Sequence, residues 1–228
     1  VIEQPVPPQP PVPITEPGAA VAPAPRTSRR RAIATVVLGL SITGVVVGLV
    51  WAWMAPPIHA VVAVTRQGER VHDYLGSESQ NFFVAPFLLL GLLGVVAVVA
   101  TVLVWQWREH RGPEMAAGLS VGLVAAAAVA AGVGVLLVRL RYGALDFDTV
   151  ALSSGEHSVT YVVQAPPVFF ARKLLQIAAT LLSPAATGAL VYAVLAAGTA
   201  RDDLGGYPPA GARQRVTAVS GAPDATVS

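Results

Sequence analysis

Four long apolar runs separated by short polar stretches dominate the chain: Ala32 to Met54, Phe82 to Trp107, Met115 to Val138 and Leu174 to Ala200. Each exceeds the roughly 20 residues that an α-helix, rising about 1.5 Å per residue, needs to cross a hydrocarbon layer about 30 Å thick. No Asp, Glu, Lys, Arg or His interrupts any of them. A helix closes its backbone hydrogen bonds internally, so such a run can sit in lipid without orphaned polar groups. Buried helices of a water-soluble protein would need polar faces, and these runs have none. The pattern predicts four transmembrane helices.

The ends of the runs carry the residues that favour a membrane–water boundary. Trp51 and Trp53 close the first span and Trp105 and Trp107 the second. There an indole can keep its ring in the acyl boundary and its N–H near water. Phe82, Phe83, Tyr142, Phe169 and Phe170 lie at the remaining outer boundaries. Basic residues set the expected orientation. Arg26, Arg29, Arg30, Arg31, Arg108, Arg111, Arg201, Arg213 and Arg215 make nine on the side of the termini. Arg66, Arg70, Arg139, Arg141, Arg172 and Lys173 make six on the other. The arginine cluster abuts the first helix, which usually dominates topology, so both termini are expected in the cytoplasm. The first span is expected to be retained and not cleaved. It is far longer than a signal-peptide core, and Ala52-Trp53-Met54-Ala55 lacks an Ala-x-Ala pattern.

The connections on the outer side alternate β-forming residues around turns. In the loop 55–81, His59 to Thr65 and Glu69 to Leu75 flank Arg66-Gln67-Gly68. In the loop 139–173, Ala144 to Leu152 and Glu156 to Val163 flank Ser153-Ser154-Gly155. Each loop predicts a hairpin, and because a lone hairpin is marginal in water the two are expected to pair into one four-stranded sheet. A shift of 87 residues superposes Gly68, Glu69, Tyr74, Phe82 and Phe83 on Gly155, Glu156, Tyr161, Phe169 and Phe170. This points to a duplicated unit of helix, hairpin and helix, and makes Glu69, Tyr74, Glu156 and Tyr161 the candidate interaction or structural positions. The fold class is thus all-α transmembrane: a four-helix membrane bundle, residues 32–200, with a small extracytoplasmic β-sheet made of two hairpins. Nine prolines among the first 25 residues deny a helical ladder, so residues 1–31 are expected as a disordered cytoplasmic tail, and residues 201–228 as another.

Composition narrows the chemistry. The chain of 228 residues is 54% hydrophobic and 12% charged, against about 25% charged in a soluble domain. Fourteen of its 15 basic residues are arginine, and with abundant Ala, Val, Gly and Pro this indicates a GC-rich genome. The absence of cysteine rules out disulfides, thiolate metal sites and covalent c-type haem. A net charge of +2, with scattered arginines, gives no ground for a nucleic-acid partner. Ion-coupled transporters and voltage sensors need ionisable groups inside the membrane, and the spans offer only mild polar groups such as Ser41, Thr43, Ser120, Thr180, Ser183 and Thr187, which are expected to bond their own helices. Gly44-x3-Gly48 and Gly118-x3-Gly122 predict close helix contacts, more simply within the chain than between copies. Pro184 frees a carbonyl four residues earlier and predicts a kink. His59, His72 and His157 lie near Glu69, Asp73 and Glu156 in the outer loops, but no metal-ligand or nucleophile motif organises them. No cofactor, metal or catalytic residue is assigned.

Arg29-Arg30-Arg31-Ala32, Trp51-Ala52-Trp53-Met54-Ala55-Pro56-Pro57, Gly68-Glu69, Phe82-Phe83 and Ala200-Arg201-Asp202-Asp203-Leu204-Gly205 together resemble an uncharacterised family of actinobacterial, including mycobacterial, integral membrane proteins, a domain of unknown function. The likeness covers about residues 26–206 and implies lineage and topology but no catalytic residues. The expected role is therefore that of a non-enzymatic accessory or scaffold protein of the cell envelope. Its expected partners are the lipid bilayer and an envelope or membrane protein, or a second copy. The alternatives are a transporter or channel for a small or lipidic molecule, favoured by a continuous polar cavity, and a membrane enzyme at the outer surface, favoured by a cluster of His72, Glu69, Glu156 and His157.

Overall fold

The computed structural model describes residues 28–148, 150–151 and 159–199. Apart from residues 28–31, the two expected tails lie outside this range, as do Glu156, His157 and the expected turn at 153–155. Four helices, α1 (Arg29–Met54), α2 (Asn81–Gln106), α3 (Pro113–Tyr142) and α4 (Leu174–Ala197), match the four apolar runs, and all are long and apolar enough to cross a membrane. Several boundaries differ from the expected ones by one to four residues, among them the start of α1 and the end of α3. α1 begins three residues before Ala32, where Arg29 pairs with Glu114 at the start of α3 at 2.9 Å. α3 runs on through Arg139–Tyr142, part of the expected outer loop, until Gly143 at φ 72° ends it.

Glycine determines which helices touch. The most extensive contact joins α1 to α3, and both small-residue motifs lie in it. A Cβ on Gly44 would collide with the Ala126 carbonyl, and one on Gly48 would come within 2.7 Å of the Ala130 carbonyl. Gly118 and Gly122 receive Ile33 and Leu40 from α1, where an added Cβ would lie 2.8 and 2.7 Å away. The close approach expected from these motifs is thus intramolecular. α4 packs on α2 and α3, with Gly188 against Leu123 and Thr101.

The apolar spans leave most of their surface outside these contacts. Even α3 buries only 44% of its most apolar window, while Leu38, Ile42, Phe87, Val95 and Leu190 each stay more than 60% exposed. Surface of that kind is suited to lipid contact. Polar groups in the spans bond their own helices: Ser41 to the Val37 carbonyl, Ser120 to Ala116, Thr180 to Gln176, Thr187 to Ser183 and the fully buried Thr101 to Ala97. The Thr180 carbonyl, which Pro184 cannot serve with an N–H, accepts the Ser183 hydroxyl at 2.9 Å.

At the end of the bundle opposite the α2–α3 connection lies a sheet of three strands, β1 (Ile58–Val64), β2 (Arg70–Tyr74) and β3 (Val159–Gln164), in the order β2-β1-β3 and antiparallel throughout. The first hairpin forms as expected, with Gly68 at φ 84° in its turn. The second does not appear as two paired strands. Residues 144–148, 150 and 151 of its expected outgoing arm are irregular, and β3 pairs with β1 instead. The physical reason lies in β2. The Phe147 ring stacks on His72 at 4.3 Å, and Arg70 donates to the carbonyls of Phe147 and Val150, which holds the arm against β2.

Candidate functional site

The sheet gives the chain two distinct polar-end surfaces, because alternate side chains of a strand point to opposite faces. On the face toward the helices, Ile58, Ala60 and Val62 of β1 are buried, and the register places Tyr74 and His72 beside them on β2, and Gln164, Val162 and Thr160 on β3. On the opposite face, Ala63 lies between Val71 of β2 and Val159 of β3, Val61 between Asp73 and Tyr161, and His59 beside Val163. Val71, Val159, Tyr161 and Val163 are exposed, Tyr161 at 72%. A largely apolar strip, edged by Asp73 and His59, is therefore presented away from the bundle.

This geometry separates the candidate residues. Tyr74 faces the helices, its ring edge-on to Phe82 at 5.2 Å and to His72 at 6.1 Å, whereas Tyr161 stands on the other face. Phe83 is an exposed residue of α2, while its counterpart Phe170 precedes α4 and packs edge-on against Phe87. The spacing of 87 residues thus does not place its two tyrosines, or Phe83 and Phe170, in like surroundings, and the expected duplicated unit is not borne out. Glu69 lies exposed in the hairpin turn, and Glu156 is outside the described residues. Among the described residues no three His, Asp or Glu side chains converge as a metal site. His72 is occupied by ring stacking. His59 is held by Glu78, which accepts both its backbone N–H at 2.5 Å and a bond with Nδ1 at 2.7 Å, pinning β1 to the turn before α2.

Beneath the sheet, where the ends of α2, α3 and α4 converge, a cleft of about 410 Å³ opens to the surface. Its apolar lining comes from the stretch 165–171 together with Phe82, Val135, Val138 and Ile177, and its polar lining from Arg139 at the end of α3, Arg172 just before α4 and Gln164 at the end of β3. Gln164 points inward because it pairs with Ile58 on the buried face of the sheet. Its Oε1 is buried and has no hydrogen-bond partner among the described residues. Arg139 and Arg172 are exposed, and among the described residues neither is paired with a carboxylate. Sequence reasoning counted both arginines for orientation and passed over Gln164, which opens the stretch 164–172 that forms much of the cleft wall.

At the other end of the bundle, Tyr192 of α4 closes the α2–α3 connection. Its hydroxyl accepts the Gly112 N–H at 3.1 Å and donates to the Gly112 carbonyl at 3.2 Å. Its ring stands edge-on to Trp105, over which the Arg111 guanidinium lies 4.4 Å from the centroid. Gly112 sits at φ 148°, and Pro113 begins α3 immediately after it. The arrangement is a latch for a tight turn.

The family model described as a protein of unknown function, DUF2567, matches residues 40–206. Uncharacterized proteins of Mycobacterium bovis and Mycobacterium tuberculosis are each 77% identical over 171 residues, covering 75% of this chain and 89% of the relative. One of Mycobacterium leprae is 65% identical over 178 residues, covering 78% of this chain and 89% of the relative. No solved structure matches the chain.

Proposed function

The chain belongs to the DUF2567 family of proteins of unknown function, and from that premise we propose that it is a four-pass protein of a bacterial cytoplasmic membrane with a non-enzymatic, accessory role in the cell envelope. Its termini lie in the cytoplasm, and its sheet faces outward to engage a second envelope or membrane protein. The observation that carries this reading is the exposed strip of Val71, Val159, Tyr161 and Val163 on the far face of the sheet. Lipid accounts for apolar surface along the helices. It does not account for apolar surface on the polar end, directed away from the bundle, where such a strip marks a protein contact. The arginine cluster before α1 supports the orientation. Spans without ionisable residues, in which hydroxyls bond their own helices, weigh against a proton- or ion-coupled transporter.

A photoreactive amino acid at Tyr161 tests the role in living cells. A cross-linked adduct with another polypeptide is expected on irradiation, and Val159→Ser with Val163→Ser should remove it, while a photoreactive group at Phe87, on the lipid-facing side, gives none. Equal protein adducts at both positions, or an adduct indifferent to the valine substitutions, would refute the sheet as the contact.

A further inference from the structure

We propose that the cleft beneath the sheet binds the headgroup of an anionic phospholipid that carries hydroxyl groups. The first ground is charge placed against the topological grain. Arg139, Arg141, Arg172 and Lys173 all lie at the sheet end of α3 and α4, the side from which basic residues are normally depleted. Arg141 leans over the Tyr142 ring at 5.3 Å, but Arg139 and Arg172 line the cleft from two different elements. Guanidinium groups so placed match a phosphate, to which arginine donates in a fork.

The second ground is Gln164. Buried polar atoms are nearly always partnered, and its Oε1, buried without a partner among the described residues, calls for a donor that those residues do not bring there. Gln164 lines the cleft, and a turn of its side-chain amide toward that space would bring Oε1 within reach of a headgroup hydroxyl. The third is the lining: Phe82, Val135, Val138 and Ile177 form an apolar wall at the level where the helices emerge from their lipid-facing spans. A volume of about 410 Å³ holds a headgroup and the start of its glycerol, not two acyl chains, which can remain among the lipids beside α3 and α4. Phosphate, hydroxyl and an apolar attachment together describe such a lipid, whereas a free phosphate ester satisfies only the polar part. The inference rests on the membrane placement proposed above but not on the accessory role.

The full chain, reconstituted in nanodiscs of phosphatidylcholine doped with phosphatidylglycerol and released for native mass spectrometry, should retain phosphatidylglycerol about tenfold over its bulk share, a preference of about 1.4 kcal/mol. Arg139→Gln with Arg172→Gln should bring retention to the bulk share. Arg30→Gln with Arg31→Gln, which removes the same charge from the other end, should leave the preference intact. Gln164→Leu should weaken retention and raise the unfolding midpoint of the lipid-free protein, a pair of effects that a purely structural glutamine would not show. Glycerol 3-phosphate at millimolar concentration should not displace the lipid. Retention at the bulk share, a preference that survives the cleft substitutions, or displacement by glycerol 3-phosphate would each overturn the proposal, the last in favour of a soluble phosphate ester. Failure of the protein to enter nanodiscs at all would instead strike at the membrane placement.

Discussion

Two tryptophans that are neighbours in the sequence have opposite fates. Trp53 is 80% exposed, as a boundary residue should be, but Trp51 is fully buried and donates its indole N–H to the Ala85 carbonyl at 2.7 Å. Gly134 of α3 makes this burial possible, because a Cβ there would stand 2.8 and 2.9 Å from two carbons of the indole ring. Gly134→Ala should therefore destabilise the bundle by about 1–3 kcal/mol, since a rigid, enclosed ring cannot yield to the added methyl. Gly132→Ala is the matched control. Its Cβ meets nothing within 4 Å, so the substitution should be neutral or stabilise by up to about 1 kcal/mol through helix propensity. Unfolding in mixed micelles of rising denaturing-detergent fraction measures both, and equal shifts would show that the ring does not depend on the space at Gly134. Residue type alone could place Trp51 at the end of a helix but could not choose between lipid boundary and core, because that choice belongs to α2 and α3. The same holds for Tyr74 and Tyr161, equivalent in spacing but put on opposite faces by strand register.

At the scale of elements, the helices were legible because an uninterrupted apolar run has few other uses, and the observed limits depart from the expected ones by only a few residues. Hairpin β1–β2 was legible for a local reason, Gly68 in its turn between two alternating segments. The second hairpin was not, since a strand needs a partner, and the arm around Phe147 is drawn instead onto His72 and Arg70 of β2 by ring stacking and carbonyl bonds. Tyr192 escaped notice as an aromatic residue inside an apolar run, although its hydroxyl ties α4 to the α2–α3 turn through Gly112. Tyr192→Phe should keep the ring against Trp105 and lose the tie, at a cost of about 1 kcal/mol. Exchange of the Gly112 amide, followed by hydrogen–deuterium exchange, should then quicken roughly fivefold with little change at the hairpin. Unchanged exchange at Gly112 would mean that the turn holds itself.

For the whole molecule, sequence reasoning reached the four apolar helices but not the cleft. Hydropathy anticipates four helices apolar enough to cross a membrane, and arginine placement gives an expected direction, because both depend on sums over many residues. The cleft depends on α2, α3, the stretch from the end of β3 to α4 and α4 itself, which meet only in the fold, and no spacing announces Gln164. The one available signal was the cationic group Arg139, Arg141, Arg172 and Lys173 on the side expected to be outer, where such residues are disfavoured. The two ends of the bundle are accordingly built for different surroundings: a latched turn of Trp105, Arg111 and Tyr192 at one, and a sheet over an arginine-lined cleft at the other.

The orientation of those two ends across the bilayer is the claim on which the rest depends, and the absence of native cysteine makes it directly measurable. Single substitutions Arg66→Cys, in the hairpin turn, and Glu109→Cys, in the α2–α3 connection, are to be treated in intact cells with a membrane-impermeant maleimide. Arg66→Cys should label at once and Glu109→Cys only after the membrane is permeabilised. Labelling of Glu109→Cys in intact cells, with Arg66→Cys protected or equally reactive, would contradict the account.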